Sequence, residues 1–298
     1  MLVDVGDTRL NVVERGTTDG LALIVLHGGP GLDHTEFGRH LDPLGDEFRL
    51  LLVDMRAQGG SDRDAPPETW TVPRFAADVD ALARALELDR YVVLGHSFGA
   101  FVALRHALDH DRARPPAATI VSSGVPGERW MAGVQAAVDA IEDEELRSQV
   151  LQSFEREEDV DSEEGVLEIL RDQFPFHFAD PQDPRIEAAL EDLEHGRMAP
   201  DVLRVGSQQA DLEVEDRLNE VRHPVLVLTG RHDRLTTPEA AVFMAEHLPV
   251  AELVVFERSA HMAFIEEPEA YTEAVRDFLT RAVPGEGEPP PSPPGAPG

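Results

Sequence analysis

The pentapeptide Gly95-His96-Ser97-Phe98-Gly99 sets a hydroxyl between two glycines, where the extended run "YVVL" gives way to the helix-patterned "FGAFVALRHALDH". This G-x-S-x-G arrangement suits a nucleophile. The turn is sharp, its glycines let neighbouring backbone approach, and the hydroxyl stands at the positive end of a helix. A serine hydroxyl attacks only when a base takes its proton, and the base must be oriented by an acid. Behind such a turn the partners come in the order Ser, Asp, His. "VLVLTGRHDRLTTP" puts Asp233 shortly after Gly230, on a loop before a helix opened by Pro238, and "AELVVFERSAHMAF" puts His261 just past the next apolar run. Of the 12 histidines only His261 has this placement, and His96 and His232 are expected to point elsewhere. The plainer reading of Asp233 is a turn or helix-capping aspartate. Acyl transfer also needs donors for a developing oxyanion. The backbone N–H of Phe98 follows the nucleophile, and "LHGGPGL" (26–32) offers the N–H of Gly29, in a stretch that also reads as an ordinary glycine turn.

These residues need a scaffold. Short apolar runs at 21–27, 48–54, 91–95, 117–124, 224–230 and 251–257 read as strands buried on both faces, as in a parallel sheet. Helical patterns lie at 72–88, 98–110, 238–248 and 268–282. The alternation predicts an α/β fold, a mostly parallel central sheet flanked by helices. Residues 126–223 carry no strand pattern and hold 27 acidic residues against 9 arginines. They read as a helical cap, or lid, inserted before the last two strands, dividing the core into 1–125 and 224–283. Within the cap, "FPFHF" (174–178) is an aromatic cluster that a solvated face does not explain. The Pro/Gly-rich end, 284–298, is expected to be disordered.

Composition narrows the function classes. The net charge of −32 argues against a nucleic-acid partner, and all 26 basic residues are arginine. The charge reads either as coding bias with a solubility or salt adaptation, or as a field that gathers cationic ligands. The absence of cysteine leaves no disulfide framework and no thiolate metal site. No apolar stretch reaches membrane-spanning length, and the start shows no signal-peptide pattern, so no membrane partner and a cytoplasmic location are expected. No metal or cofactor is expected.

Taken together, these residues resemble the α/β-hydrolase fold over about residues 1–282. His27-Gly28-Gly29-Pro30-Gly31 resembles the HGGPG signature of the proline iminopeptidases, which remove an N-terminal proline from peptides without metal or cofactor. "DMRAQGGSDR" (54–63) is similar to their D-x-R-G-x-G-x-S segment at Asp54, Arg56, Gly59 and Ser61, and departs from it at Ala57, where the family has glycine. The elbow carries His96 and Phe98 where larger members have glycine and tryptophan, and GHSFG is equally at home in esterases. The resemblance implies acidic lid residues that bind the substrate's α-ammonium. Glu194 and Asp201 are the candidates in "LEHGRMAPDV", with surface charge as their plainer reading. An apolar pocket for the proline ring is expected from Trp130, Phe174 or Phe176. Epoxide hydrolases and haloalkane dehalogenases share the fold but use an aspartate nucleophile, so Ser97 argues against them. The expectation is a small peptide or ester substrate, with N-terminal proline release as the first reading. A carboxylesterase or lactonase with the same machinery is the second, and a non-catalytic binding protein on the same fold the third.

Overall fold

A computed structural model describes residues 1–109, 115–206 and 212–283. The expected tail at 284–298 lies outside them. Eight strands form one sheet: β1 (Leu2–Asp4), β2 (Arg9–Gly16), β3 (Leu21–Leu26), β4 (Phe48–Asp54), β5 (Tyr91–His96), β6 (Ala118–Ser122), β7 (Val225–Gly230) and β8 (Ala251–Phe256). The order is β1-β2-β4-β3-β5-β6-β7-β8; β2 pairs antiparallel with both β1 and β4, and every other pair is parallel. Helices α1 (Val72–Ala85), α2 (Phe98–Asp109), α8 (Pro238–His247), α9 (Ala263–Glu266) and α10 (Pro268–Ala282) belong to the sheet's crossovers and its end. Between β6 and β7 lie α3 (Val134–Asp139), α4 (Glu144–Arg156), α5 (Glu163–His177), α6 (Arg185–Glu194) and α7 (Pro200–Gly206).

Successive side chains of a strand point to opposite faces, so a sheet covered on both sides needs unbroken apolar runs. Strand β3 shows this. Leu23 and Val25 join the cluster that holds Val275 and Phe278 of α10, whereas Ile24 and Leu26 join that of Phe75 and Val79 of α1. The first cluster also takes in Ile169 and Phe174 of α5 and Leu190 of α6, so the inserted helices share a core with the sheet.

Three features depart from the sequence expectations. The strands β1 and β2 were not legible as apolar runs, because an antiparallel edge pair buries only alternate residues; on β2 these are Leu10 and Val12. Strand β8 is a half-buried edge strand rather than a fully covered one. Helix α1 stops at Ala85, since Glu87 turns to φ 53 and lets Leu88 fold inward. Among the described residues no helix is long and apolar enough to cross a membrane.

Candidate active site

Ser97 sits between β5 and α2 with φ 51, a left-handed backbone that side chains rarely adopt. A Cβ at Gly95 would run into the carbonyl of Gly99, and one at Gly99 into the carbonyl of Leu26 at the end of β3. The two glycines therefore let strand, turn and helix cross at backbone distance. The Ser97 N–H donates to the Ser122 carbonyl at 2.9 Å, tying the elbow to the end of β6.

Two loops at the same edge of the sheet bring Asp233 and His261 together. The Nδ1 of His261 lies 2.9 Å from Asp233 Oδ2. The N–H groups of Leu235 and Thr236 donate to Asp233 Oδ1 at 2.9 and 3.0 Å, and the Thr236 hydroxyl donates to Oδ2 at 2.7 Å. Burial pushes the Asp233 carboxyl up, but the attraction of His261 and these donors outweigh it, and its pKa lies below the ordinary value. With Nδ1 engaged by the carboxylate, Nε2 is the ring nitrogen left for proton exchange. Both loops are fastened to the end of α5. The His261 N–H donates to the His177 carbonyl at 2.9 Å, and the Arg234 guanidinium donates to the carbonyls of Phe176 at 3.0 Å and Phe178 at 3.3 Å. A cation on the last carbonyls of a helix is favourable in both hydrogen bonding and dipole terms.

The glycine-rich loop after β3 is pinned from outside the cavity. His27 Nδ1 lies 2.8 Å from the Gly28 carbonyl, and Met55 N–H donates to His27 Nε2 at 3.2 Å, which fixes the Nδ1–H tautomer. Gly31 N–H donates to Gln58 Oε1 at 2.6 Å. The family-like segment at 54–63 is scaffold. Asp54 accepts from His34 N–H and Nδ1, and from Asn11 and Gly60. The buried Arg56 pairs with Asp78 and Asp7, each at 2.7 Å, and the Ser61 hydroxyl donates to the Asp54 carbonyl at 2.6 Å. Ala57 keeps φ 60, the conformation glycine favours, although it carries a side chain.

Ser97, His261, Gly29 and Phe98 all line one cavity of about 380 Å³. Its far wall comes from the inserted helices, with Phe154, Ile169, Leu170 and Phe174 among its apolar side chains. Of the substrate-binding residues expected from sequence, Phe174 is in this wall and the others are not. Phe176 turns away, packing edge-on to Phe154 at 6.4 Å under the Arg234 guanidinium. Trp130 packs at a tilt against Phe243, centroids 5.1 Å apart, and donates its indole N–H to Glu215 at 2.6 Å. Glu194 is exposed and pairs with Arg171 at 3.0 Å; Asp201 is exposed and pairs with Arg204 at 2.6 Å. Residues spaced along a helix diverge by about 100° each, which sends neighbouring phenylalanines of "FPFHF" to different partners.

The cavity holds polar residues that sequence reasoning missed. Glu36, Glu128, Glu157, Gln173 and His177 all line it. Gln173 donates to Glu157 Oε1 at 2.6 Å; burial pushes the Glu157 carboxyl up, and that hydrogen bond offsets the rise only in part. His177 is pushed down to about 3 by burial and by the neighbouring His261, so its imidazole is neutral. The acidic run around Glu157 gave no sequence signal to separate it from its solvated neighbours.

Residues 22–268 match the family described as the alpha/beta hydrolase fold. The chain belongs to that family of hydrolases. A proline iminopeptidase of Heyndrickxia coagulans is 29% identical over 277 residues, covering 87% of this chain and 91% of that protein. The crystal structure of a proline iminopeptidase from Mycobacterium smegmatis is similar with a TM-score of 0.74 at 24% identity, over 95% of this chain and 98% of that one. An esterase from Exiguobacterium antarcticum is similar at 0.70 and 21% identity, over 94% and 99%.

Proposed function

We propose that this chain is a serine hydrolase of the proline iminopeptidase type, releasing N-terminal proline from peptides. Ser97 Oγ attacks the scissile carbonyl carbon while His261 Nε2 takes the hydroxyl proton. The amides of Gly29 and Phe98 hold the oxyanion. His261 then gives the proton to the leaving amine, and water, deprotonated by the same nitrogen, cleaves the acyl-enzyme. Asp233 orients the imidazole and stabilises its cation. The stretch 126–223 acts as a cap that excludes water and supplies the apolar wall for the proline ring. The observation that carries the peptidase reading is Glu157. It is a half-buried carboxylate in the cavity wall whose acidity is weakened by burial, with an amide as its hydrogen-bond donor. A substrate ammonium there supplies the missing countercharge, and charge-assisted bonds of this kind contribute about 1.5–3 kcal/mol. Glu157 and Glu128, which line the same cavity, replace Glu194 and Asp201 as the amine-binding carboxylates.

The test compares proline β-naphthylamide with its N-acetyl form. The free amine is cleaved and the acetylated substrate is not, at low and at about 0.15 M salt alike, because contact pairs in a pocket are screened far less than a diffuse field. Equal cleavage of the two overturns the amine site. A second reading, carboxylesterase or lactonase, is favoured by the predominance of apolar side chains in the cavity wall. Turnover of a neutral p-nitrophenyl ester with none of proline p-nitroanilide selects it.

A further inference from the structure

We propose that Glu36 and His96 form a buried ion pair that positions the three loops around Ser97, and that its charge balance keeps uncompensated charge away from the reacting centre. The proposal rests on the serine-hydrolase reading above. Gly28 N–H donates to Glu36 Oε2 at 2.6 Å, Glu36 Oε1 lies 3.0 Å from His96 Nδ1, and His96 Nε2 lies 3.1 Å from the His261 carbonyl. A carbonyl only accepts, so Nε2 carries a proton. An ionised carboxylate only accepts, so Nδ1 carries one too, and the ring is an imidazolium. One chain of bonds thereby joins the neighbour of Gly29, the neighbour of Ser97 and the backbone of His261. The Ser123 hydroxyl donates to the same carbonyl at 3.0 Å.

The pair is buried, with side-chain exposures of 1% for His96 and 4% for Glu36. Burial pushes Glu36 up and His96 down, and their mutual attraction reverses both shifts. It also lies against the chemistry. A methyl group at Gly28 would fall 2.5 Å from Glu36 Oε1 and 3.3 Å from Ser97 Cβ, so carboxylate and nucleophile flank the same point, and a side chain there would push the carboxylate aside. An unpaired carboxylate there opposes an oxyanion on the adjacent Gly29 amide. An unpaired imidazolium would oppose the cation that forms on His261, whose ring centroid is 5.0 Å from that of His96. Paired, the two charges cancel towards both. The other titratable groups facing the pair are His261, Asp233 and His177 on the His96 side, and His27 and Tyr271 on the Glu36 side.

The experiment measures kcat/KM and the rate of fluorophosphonate labelling across pH for wild type, His96→Asn, Glu36→Gln and the double variant. His96→Asn leaves the buried Glu36 carboxylate without its countercharge and loses about 100-fold, the loss growing as pH rises and Glu36 ionises. Glu36→Gln loses no more than about tenfold, because a neutral His96 keeps its Nε2–H bond and accepts through Nδ1 from the new amide. The double variant recovers to within about tenfold of wild type, which a role in shape alone does not produce. Where His96→Asn does not fold, the same comparison is read in thermal unfolding, with the double variant melting above any folded fraction of the single. A labelled wild type whose double variant is as impaired as His96→Asn overturns the pair. An unlabelled wild type overturns the serine reading, and the pair with it.

Discussion

On the sheet side of the cavity, Asp233 receives four donors, from Leu235, Thr236 N–H, the Thr236 hydroxyl and His261. On the helix side, Glu157 has the amide of Gln173. The first carboxylate is fixed in position and held ionised; the second is left less acidic and open to a partner. The sheet loops thus have the rigidity that proton transfer needs, since a catalytic group misplaced by about 1 Å can lose about 100-fold in rate. The helix side instead carries, on the proposed reading, a carboxylate that gains its countercharge from the substrate. If that division holds, substitutions on the sheet side strike turnover, and those on the helix side strike substrate choice.

The largest expected effect is at the elbow. Ser97→Ala removes the nucleophile and lowers kcat by about 10⁴-fold or more with the fold intact. Asp233→Asn loses a comparable factor by offering His261 the wrong partner at Oδ2, while the backbone donors to Oδ1 keep the loop in place. Steady-state kinetics alongside circular dichroism separates lost chemistry from lost structure. Near-normal kcat in either variant breaks the assignment of chemistry to this wall.

Next comes Glu157→Gln. It keeps a side chain of the same shape and loses the charge. For a free-amine substrate kcat/KM falls about ten- to a hundredfold, mainly through KM. For a neutral ester nothing comparable is lost. A fall in kcat on both substrates would place Glu157 with the chemistry and erase the contrast between the walls.

The contrast also explains what the sequence made legible. Ser97, Asp233 and His261 each follow a strand on a short loop, so strand ends fix their place and the spacing can be read along the chain. The apolar runs of β3 to β7 are legible because burial on both faces leaves few places for polar residues, most of them near the strand ends. Nothing comparable orders the cavity's other wall. Phe174 and Phe176 lie two residues apart and face different cavities, and the choice is made by how α5 packs on α4 and on the Arg234 side chain. Glu36 was missed for a related reason. Its signal is a partner 60 positions away, His96, which the sheet brings close only after β3 and β5 have paired.

A smaller effect concerns stability on the sheet side. Burial pushes the Asp54 carboxyl up, but His34 and Asn11 outweigh it and hold it at about 2. A carboxyl depressed in the folded state adds stability above its unfolded value, about 3.9, and that stability is lost as pH falls through the folded value. The His34 shift is upward in spite of its burial and describes the same contact, so the two are not added. Asp54→Asn therefore destabilises by about 2 kcal/mol at neutral pH. The difference from wild type closes between about pH 4 and pH 2, as urea midpoints across pH will register. A difference that stays constant with pH would mean the hydrogen bonds matter and the charge does not.

The smallest effect is expected where the sequence pointed and the structure does not. Glu194 and Asp201 are the carboxylates that the family resemblance offers for an amine site. Their side chains are 49% and 68% exposed, and each already has an arginine partner, Arg171 and Arg204. Ion pairs this open to water contribute at most about 1 kcal/mol, because solvent screens the attraction and two long side chains lose freedom to hold it. Glu194→Gln and Asp201→Asn should therefore shift the unfolding free energy by no more than about 0.5 kcal/mol. They should also leave KM for proline β-naphthylamide at its wild-type value, measured beside Glu157→Gln on the same preparation. A KM that rises in either surface variant and not in Glu157→Gln would return the amine site to the cap's outer face. The cavity carboxylate would then be a packing feature of α4 and α5, held by Gln173 for its own sake.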